Sequence, residues 1–254
     1  MTSFYQMVIY FAFYSFLGWI IETLFCSFQT GKFVFRGFLA GPVCPIYGFG
    51  ALLVLLLLQP FSKNVLLVYV FGVILMTALE YFVSFLLEKI FKKSFWDYSN
   101  HRYNLNGRVN LVFSIFWGIL CLVLVYLVHP AAETVMARMS DNVQTISAVV
   151  IIIILTADLL YSVRYTMVFN RELLTLTAIS ERIEKIRADM LVSAEETKIK
   201  LEEDMMQLIS QQEENAKRVF RKMRRILNAF PKMRMNKKDR LSVRERINAY
   251  RNKK

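Results

Sequence analysis

Five stretches of this chain are apolar for long enough to cross a membrane, and they constrain the fold more than any other feature. A helix needs about 20 mostly apolar residues to span the hydrocarbon of a bilayer. With a mean hydropathy of +0.38, the chain is not an ordinary soluble domain. We therefore predict an all-α polytopic membrane protein with five transmembrane helices, near 4–28, 38–58, 65–87, 111–128 and 146–168.

Three of these stretches contain a carboxylate. Glu22, Glu80 and Asp158 lie in the first, third and fifth stretch. A charge near the bilayer centre costs at least about 2.5–3.5 kcal/mol, so an intramembrane carboxylate indicates a functional site, with a structural polar contact between helices as the alternative. We predict that Glu22 and Glu80 share a polar site near Arg36 or Arg108, in a cavity open to the cytoplasm.

Basic residues in the connections predict the orientation. The 28–37 and 89–108 connections and the segment after 168 are basic, whereas the other two connections hold one basic residue each. With five spans, the basic segments fall on one side. We predict a multi-pass protein of the cell membrane with its N-terminus outside and its C-terminus in the cytoplasm. The first stretch lacks the pattern of a cleavable signal and is expected to stay in the mature protein.

Glycine and proline divide the chain into two parts, because neither occurs between Pro130 and Pro231. Apolar residues recur at helical spacing through 171–230, which predicts that the fifth span continues without a break to at least Asn215. Such a stripe needs a partner, and we predict a parallel homodimer through a coiled coil. The predicted domains are a transmembrane domain, 1–170, a cytoplasmic amphipathic helix, 171–230, and a basic tail, 231–254.

The C-terminal end of the chain is strongly basic. Residues 217–254 hold 16 basic and two acidic side chains. Next to a membrane, this cluster predicts contact with anionic lipid headgroups, worth about 1 kcal/mol per base. RNA is a less favoured partner, and a solvated tail that only reinforces topology is the structural alternative.

The connection before the second span contains several residues that interrupt helices. Gly41, Pro42, Pro45 and Gly48 lie in RGFLAGPVCPIYGFG, which predicts a broken or re-entrant helix start. Its free backbone N–H groups, beside Arg36, could hold an anionic headgroup or phosphate. Close helix packing through glycine is the alternative.

The 89–108 connection is the densest polar patch. Interfacial aromatic residues, helix caps and turns would explain its composition. Alternatively, Asp97 and Arg108 either form buried ion pairs or bind a polar substrate. The candidate residues of this patch are Trp96, Asp97, Tyr98, Asn104, Asn106 and Arg108.

The sequence contains no pattern typical of a metal or cofactor site. The three cysteines form no CxxC pair, and His101 and His129 are predicted on opposite sides of the membrane. The phosphate-binding pattern GxxxxGK[ST] does not occur. We predict neither a metal nor a cofactor.

Four motifs occur in order between residues 11 and 130: YSFLGWIIETLF, RGFLAGPVCPIYGFG, LEYFVSFLLEKIF and WDYSN…NLNGR. In these motifs the chain resembles the membrane family named Putative ABC-transporter type IV. The resemblance implies a multi-pass membrane component, and ATP-driven transport would then need a separate ATPase subunit. It carries candidate positions onto Trp19, Glu22, Arg36, Gly41, Pro42, Pro45, Tyr47, Gly48, Glu80, Trp96, Asp97, Tyr98, Asn104, Asn106, Gly107 and Arg108.

Three functions stay open on the sequence. The first is a transport-type membrane subunit whose polar cavity, to which Asp158 also contributes, takes a small or lipid-like anionic substrate. The second is an integral-membrane enzyme for a lipid-linked or phosphorylated substrate, with Glu22, Glu80 or Asp97 as general acid or base. The third is a scaffold that anchors a cytoplasmic coiled coil. No nucleophile–base pair is evident, so a non-enzymatic function is favoured.

Overall fold

The computed structural model describes residues 3–191, 195–231, 233–234 and 242–251, which are mainly helical. A two-stranded hairpin, Asn104–Leu105 with Val109–Asn110, is the regular sheet of the described part. The helices are α1 Phe4–Thr30, α2 Pro45–Leu58, α3 Val65–Phe91, α4 Leu111–Val123, α5 His129–Met136, α6 Asp141–Met190, α7 Glu195–Lys222, α8 Arg224–Ala229 and α9 Val243–Arg251. A 3₁₀ turn, Gln59–Phe61, follows α2, and a π-helical turn, Leu124–Val128, joins α4 to α5.

The predicted all-α polytopic fold is confirmed. Among the residues that the structure describes, four helical stretches are long and apolar enough to cross a membrane: α1, α3, Leu111–Met136 and α6. The second predicted span, 38–58, differs, because only the shorter stretch Pro45–Phe61 is an apolar helix. Which end of the bundle faces the cytoplasm stays a prediction.

Residues 32–44, the extended segment, run beside the second half of α1 before α2 begins. The Val34 N–H donates to Ser27 Oγ at 3.0 Å, and the Cys44 N–H donates to the Ser15 carbonyl at 2.9 Å. These contacts progress along α1 from its end towards its middle, so α2 starts level with the middle of α1. The predicted interruption of the second span is confirmed.

Glycines let α1 and α2 approach closely as antiparallel neighbours. A Cβ atom at Gly18 would overlap the Tyr47 ring, and one at Gly48 would overlap Ser15 Oγ. The close packing of α1 against α2 therefore requires glycine at position 48. It also fixes where the Tyr47 side chain lies against α1.

The prediction that the fifth span continues to Asn215 as one helix is wrong. Helix α6 ends at Met190, and α7 begins at Glu195 and returns along α6, so that the Tyr165 hydroxyl donates to the Lys222 carbonyl at 2.6 Å. Helix α7 covers the apolar side chains of α6 within one chain. These side chains therefore do not require a second protomer, and we do not propose the predicted homodimer. The buried residues of this hairpin include Phe169, Leu173, Leu176, Ala216, Val219 and Met223.

The described part of the basic tail, 231–254, folds onto the hairpin. Val243, Ile247 and Tyr250 of α9 are buried in the same core as Phe230. This core also takes in Phe91 and Phe95, where α3 ends. Residues 165–190 of α6 together with α7, α8 and α9 thus form one packed body, the C-terminal unit. It lies against the basic end of the bundle, where α1 and α3 end and α4 begins.

Candidate functional site

Glu22, in the last third of α1, accepts hydrogen bonds from two predicted site residues. Arg36 donates through Nη2 at 2.7 Å and Nε at 3.2 Å, and the Tyr47 hydroxyl donates at 2.7 Å. The side chains of Arg36 and Glu22 are 14% and 28% exposed. Glu22 is thus neutralised by a partly buried ion pair, which joins α1, the extended segment and α2.

Glu80, on α3, is more deeply buried and has only uncharged donors. The residue is 6% exposed. Its Oε1 accepts from the Tyr98 hydroxyl at 3.3 Å and its Oε2 from Trp117 Nε1 at 3.0 Å. In the part of the chain that the structure describes, Glu80 forms no ion pair. Burial and the adjacent Glu80 carboxylate raise the pKa of Tyr98 well above its ordinary value, so the phenol is a donor at neutral pH.

An aromatic contact links the two glutamates. The Tyr47 and Trp117 rings meet edge-on, with centroids 5.5 Å apart, and each ring binds one glutamate. Glu22 and Glu80 are therefore neighbours through this pair. The arrangement agrees with the predicted proximity of Glu22 to Arg36, but not with a place for Arg108 in the same group.

Arg108 belongs to a separate cluster near the end of α3. Its Nη2 donates to Glu88 at 2.7 Å, and its guanidinium stacks on the Tyr81 and Phe85 rings. Trp96 Nε1 donates to the Arg108 carbonyl at 3.0 Å, and the Asn106 amide donates to the Tyr81 hydroxyl at 3.1 Å. These contacts hold the sheet hairpin against α3, which is a structural role.

Asp97 is paired with the C-terminal unit. Its side chain is 3% exposed and lies 2.8 Å from Arg234 Nη1. Asp97 and Arg108 were expected either to form buried ion pairs or to bind a polar substrate, and each forms an ion pair, with Arg234 and Glu88 respectively. Asn104 shapes the turn beside them, accepting from the Gly107 N–H at 2.9 Å.

Asp158, on α6, binds the bend of the extended segment. Its carboxylate accepts from the Ala40 N–H at 2.7 Å and from the Gly41 N–H at 2.8 Å. These are the N–H groups beside Pro42 that we predicted to be free for an anionic headgroup. That prediction is wrong, because the protein's own carboxylate occupies them.

Two arginines connect the extended segment to the C-terminal unit. Arg225 of α8 donates through Nη1 to the Leu39 carbonyl at 2.8 Å and stacks over Tyr165. Arg36 donates through Nη1 to the Ala229 carbonyl and lies over the Phe230 ring. Together with Asp158 these arginines form the clamp, which holds residues 36–41 from two sides.

An apolar cavity of about 110 Å³ lies between α1, α2, α3 and α4. Ile21 and Val123, which line it, are each 40% exposed, so the cavity opens towards the outer surface of the bundle. The sequence predicted a polar cavity instead. The polar groups lie behind the wall, since Tyr47 and Trp117 line the cavity and bind the two glutamates. Other lining residues are Tyr14, Gly18, Ala51, Val54, Met76 and Cys121.

Three further residues matter to the site. Trp19, a predicted candidate, has a buried Nε1 without a hydrogen-bond partner, and its ring lies against Phe35. Trp117 and Arg225 were missed. Nothing in the sequence marks Trp117 apart from its residue type, and Arg225 is one base within a run that we assigned to lipid.

Lys93 anchors the end of α3 to α6. Its ammonium lies 4.7 Å from the centre of the Phe169 ring and donates to the Asn170 amide oxygen. Burial lowers the pKa of Lys93 to about 8. This junction therefore carries an isolated buried cation rather than an ion pair.

The comparisons agree with this architecture. The sequence family described as Putative ABC-transporter type IV matches residues 9–163, well beyond the 11–130 resemblance. The match includes Glu22, Arg36, Glu80 and Asp158 but not the helices α7–α9. No curated protein and no solved structure matches the chain. Within the described residues, no group of His, Cys, Asp and Glu side chains could hold a metal. The chain belongs to the Putative ABC-transporter type IV family.

Proposed function

We propose that the protein is the membrane subunit of an ABC-type transport system, in which the C-terminal unit moves the extended segment and so changes access to the apolar cavity. One observation carries this proposal. Arg36 is bonded at the same time to Ala229 of the C-terminal unit and to Glu22 of the membrane bundle.

The linkage runs from the C-terminal unit to the cavity wall in three contacts. Arg36 joins Ala229 to Glu22, Glu22 accepts from Tyr47, and Tyr47 lines the cavity. Charge-assisted hydrogen bonds are short and directional, so a displacement of one partner is passed to the next. A movement of α8 therefore reaches the cavity without any rearrangement of α1.

The extended segment is suited to be the moving part. It lacks the regular backbone hydrogen bonds of a helix, and such segments open at lower cost than packed helices. Arg225 and Asp158 grip its backbone at Leu39 and at Ala40 and Gly41. Rigid-body movement of the C-terminal unit would thus shift the segment as hinge motions do.

The energy would come from a separate ATPase subunit, because the chain has no phosphate-binding loop. The basic connections favour a cytoplasmic position for the C-terminal unit, where such a subunit would bind. Contact of its basic side chains with anionic headgroups stays part of this proposal. The geometry does not favour the anionic substrate, since Arg36 and Arg108 are both engaged by glutamates.

The test uses a cysteine in the cavity. Ala51→Cys, in a chain whose three native cysteines are replaced by alanine, is purified with any bound ATPase and labelled with a maleimide. We expect ATP to change the labelling rate several-fold, and Arg225→Met to abolish that change without releasing the ATPase. Arg182→Met is the matched control, because Arg182 is exposed on α6 away from the clamp.

Two results would contradict the proposal. The first is a complex in which the labelling rate does not depend on ATP. The second is an Arg225→Met complex that responds to ATP like the Arg182→Met control. Failure to recover any ATP-hydrolysing subunit with the full-length protein would also remove its energetic basis.

A further inference from the structure

Glu80 accepts a hydrogen bond at each side-chain oxygen but has no cation within the described part of the protein. One neutral donor binds each oxygen, the Tyr98 hydroxyl on Oε1 and the Trp117 indole on Oε2. An ionised carboxylate accepts at both oxygens in this way. Charged groups at membrane depth pair with one another or mark a path for a ligand or ion. In the described part of the chain, Glu80 has no such partner.

Glu22 shows that a cation of the protein can pair with a carboxylate in this part of the bundle, because it binds Arg36. Glu22 lies beyond the Tyr47–Trp117 contact and is paired with Arg36. Glu22 thus has a cation from the protein, whereas Glu80 has none among the described residues. A cationic group in the cavity would lie against the two rings that bind these carboxylates.

Aromatic rings separate the cavity from Glu80. Tyr47 and Trp117 form the cavity wall, and Trp117 donates to the carboxylate. The Tyr98 ring, whose hydroxyl donates to the other oxygen, lies 5.1 Å from the Phe113 ring at a tilt of 31°. The faces of such rings attract organic cations, and quaternary ammonium groups are commonly recognised by them. A site with one carboxylate and several rings favours an ammonium group over a hydrated metal ion.

The cavity would take an apolar chain. Most of the residues that line it are apolar, among them Val54, Leu120 and Leu124. A cavity of about 150 Å³ can hold a benzene molecule, so the volume here of about 110 Å³ holds only a short apolar segment. The mouth at Ile21 and Val123 would let the rest of a longer chain lie in the bilayer.

We propose that this cavity binds an amphiphilic organic cation, with its ammonium head against the Tyr47 and Trp117 rings in front of Glu80 and its apolar chain between α1 and α4. The proposal names the substrate class of the transport function proposed above and rests on that function for its biological meaning. Binding itself needs neither ATP nor an ATPase subunit, so the two proposals can fail separately.

The probe is tritiated dodecyltrimethylammonium, with dodecyl sulfate and dodecyl maltoside as anionic and uncharged competitors. Full-length protein is placed in nanodiscs of zwitterionic lipid, and binding to empty nanodiscs is subtracted. We expect saturable binding of one cation per chain. Dodecyl sulfate should compete at least tenfold more weakly than unlabelled cation.

Glu80→Gln should weaken binding of the cation at least tenfold and leave competition by dodecyl maltoside unchanged. Glu88→Gln is the matched control, because Glu88 lies two turns further along α3 and binds Arg108. It should change the affinity less than twofold. Ala51→Phe fills the cavity with Glu80 intact and should abolish saturable binding.

Several outcomes would overturn the proposal. They are equal affinity of Glu80→Gln and the wild type, equal competition by dodecyl sulfate, and saturable binding retained by a folded Ala51→Phe variant. If Glu80→Gln fails to fold, as judged by its thermal unfolding, the Ala51→Phe result and the competition series decide the question. ATP-dependent labelling of the cavity tests the transport function independently of these measurements.

Discussion

The extended segment and the surroundings of Glu80 lie on either side of one aromatic contact, and the glutamate of each region differs in its ion pairing. Around the extended segment, Glu22 pairs with Arg36 and the Asp158 carboxylate is bound by backbone N–H groups. Around Glu80, the carboxylate has two uncharged donors and no ion pair within the described residues. Glu22 is therefore paired within the protein, as a structural linkage requires, whereas Glu80 has no cation among the described residues, as a site for a cationic ligand requires.

The largest loss of stability is expected when Glu22 keeps only an uncharged donor, as Glu80 has. Arg36→Ala leaves the Glu22 carboxylate without its cation and removes the contact with Ala229. Since both side chains are partly exposed, we expect a loss of about 2–3 kcal/mol in the free energy of unfolding, below the range for fully buried pairs. Thermal unfolding in detergent measures it.

A double variant tests whether that loss comes from the ion pair. Glu22→Gln combined with Arg36→Ala removes the stranded charge, so the double variant should be more stable than Arg36→Ala alone. A double variant whose losses are simply additive would mean that the two side chains do not interact. Lys32→Ala, in an exposed position, is the control and should have little effect.

The next largest effect should come from moving the Tyr47 ring that joins the two regions. Gly18→Val places methyl groups where the Tyr47 ring lies. Overpacking of this kind costs about 1–3 kcal/mol, and the displaced Tyr47 hydroxyl would also lose Glu22. Gly31→Asn is the control, because Gly31 has a positive φ that asparagine tolerates and nothing near its Cβ position. Equal melting temperatures for both variants would contradict this account of the close approach.

A smaller loss in the free energy of unfolding is expected when Asp158 no longer accepts from both N–H groups of the extended segment. Asp158→Asn keeps the shape of the side chain but presents an amide nitrogen to one of the two N–H groups. Leaving one buried donor unpaired costs about 1–3 kcal/mol, and we expect the lower half of this range, because the segment can relax. Chemical denaturation in mixed micelles gives the value. An unchanged midpoint would show that Asp158 does not hold the bend.

The smallest net effect is expected at Lys93, a buried cation without a carboxylate partner among the described residues, because its replacement also loses contacts with Phe169 and Asn170. Because its folded pKa of about 8 lies below the ordinary 10.5, folding disfavours its protonated form. The penalty is complete below about pH 8 and declines as pH rises towards 10.5, where the unfolded chain also loses the proton. Lys93→Met should therefore raise the melting temperature at pH 7 and raise it less at pH 9.5. An equal rise in melting temperature at pH 7 and pH 9.5 would contradict a lowered pKa of Lys93.

The sequence was sufficient for four of the membrane helices and for part of the site. An apolar stretch of 20 residues in lipid must satisfy its own backbone hydrogen bonds and so forms a helix. Gly41, Pro42 and Pro45 lie where the second span is interrupted. The Glu22–Arg36 pair could be anticipated, since both residues lie at the same end of neighbouring elements. These inferences depend on local pattern and on the high cost of unpaired groups in a membrane.

The rest depended on contacts that local pattern does not encode. The sequence between Met190 and Glu195 has no glycine or proline, and apolar residues recur at helical spacing on both sides of it. One long helix and a helical hairpin therefore have the same sequence pattern. Arg225 reaches Leu39, which is 186 residues away in the chain. The Trp117 contact with Glu80 likewise follows from how α3 and α4 pack, not from either sequence alone.

Hydrogen exchange of the extended segment tests most directly whether the C-terminal unit holds it. The comparison is between Arg225→Met and the control Arg182→Met, each as the full chain in nanodiscs, with exchange followed in peptides that cover residues 36–44 and α4. The account predicts several-fold faster exchange of residues 36–44 in Arg225→Met, with α4 unchanged. Equal exchange of residues 36–44 in the two variants would contradict it.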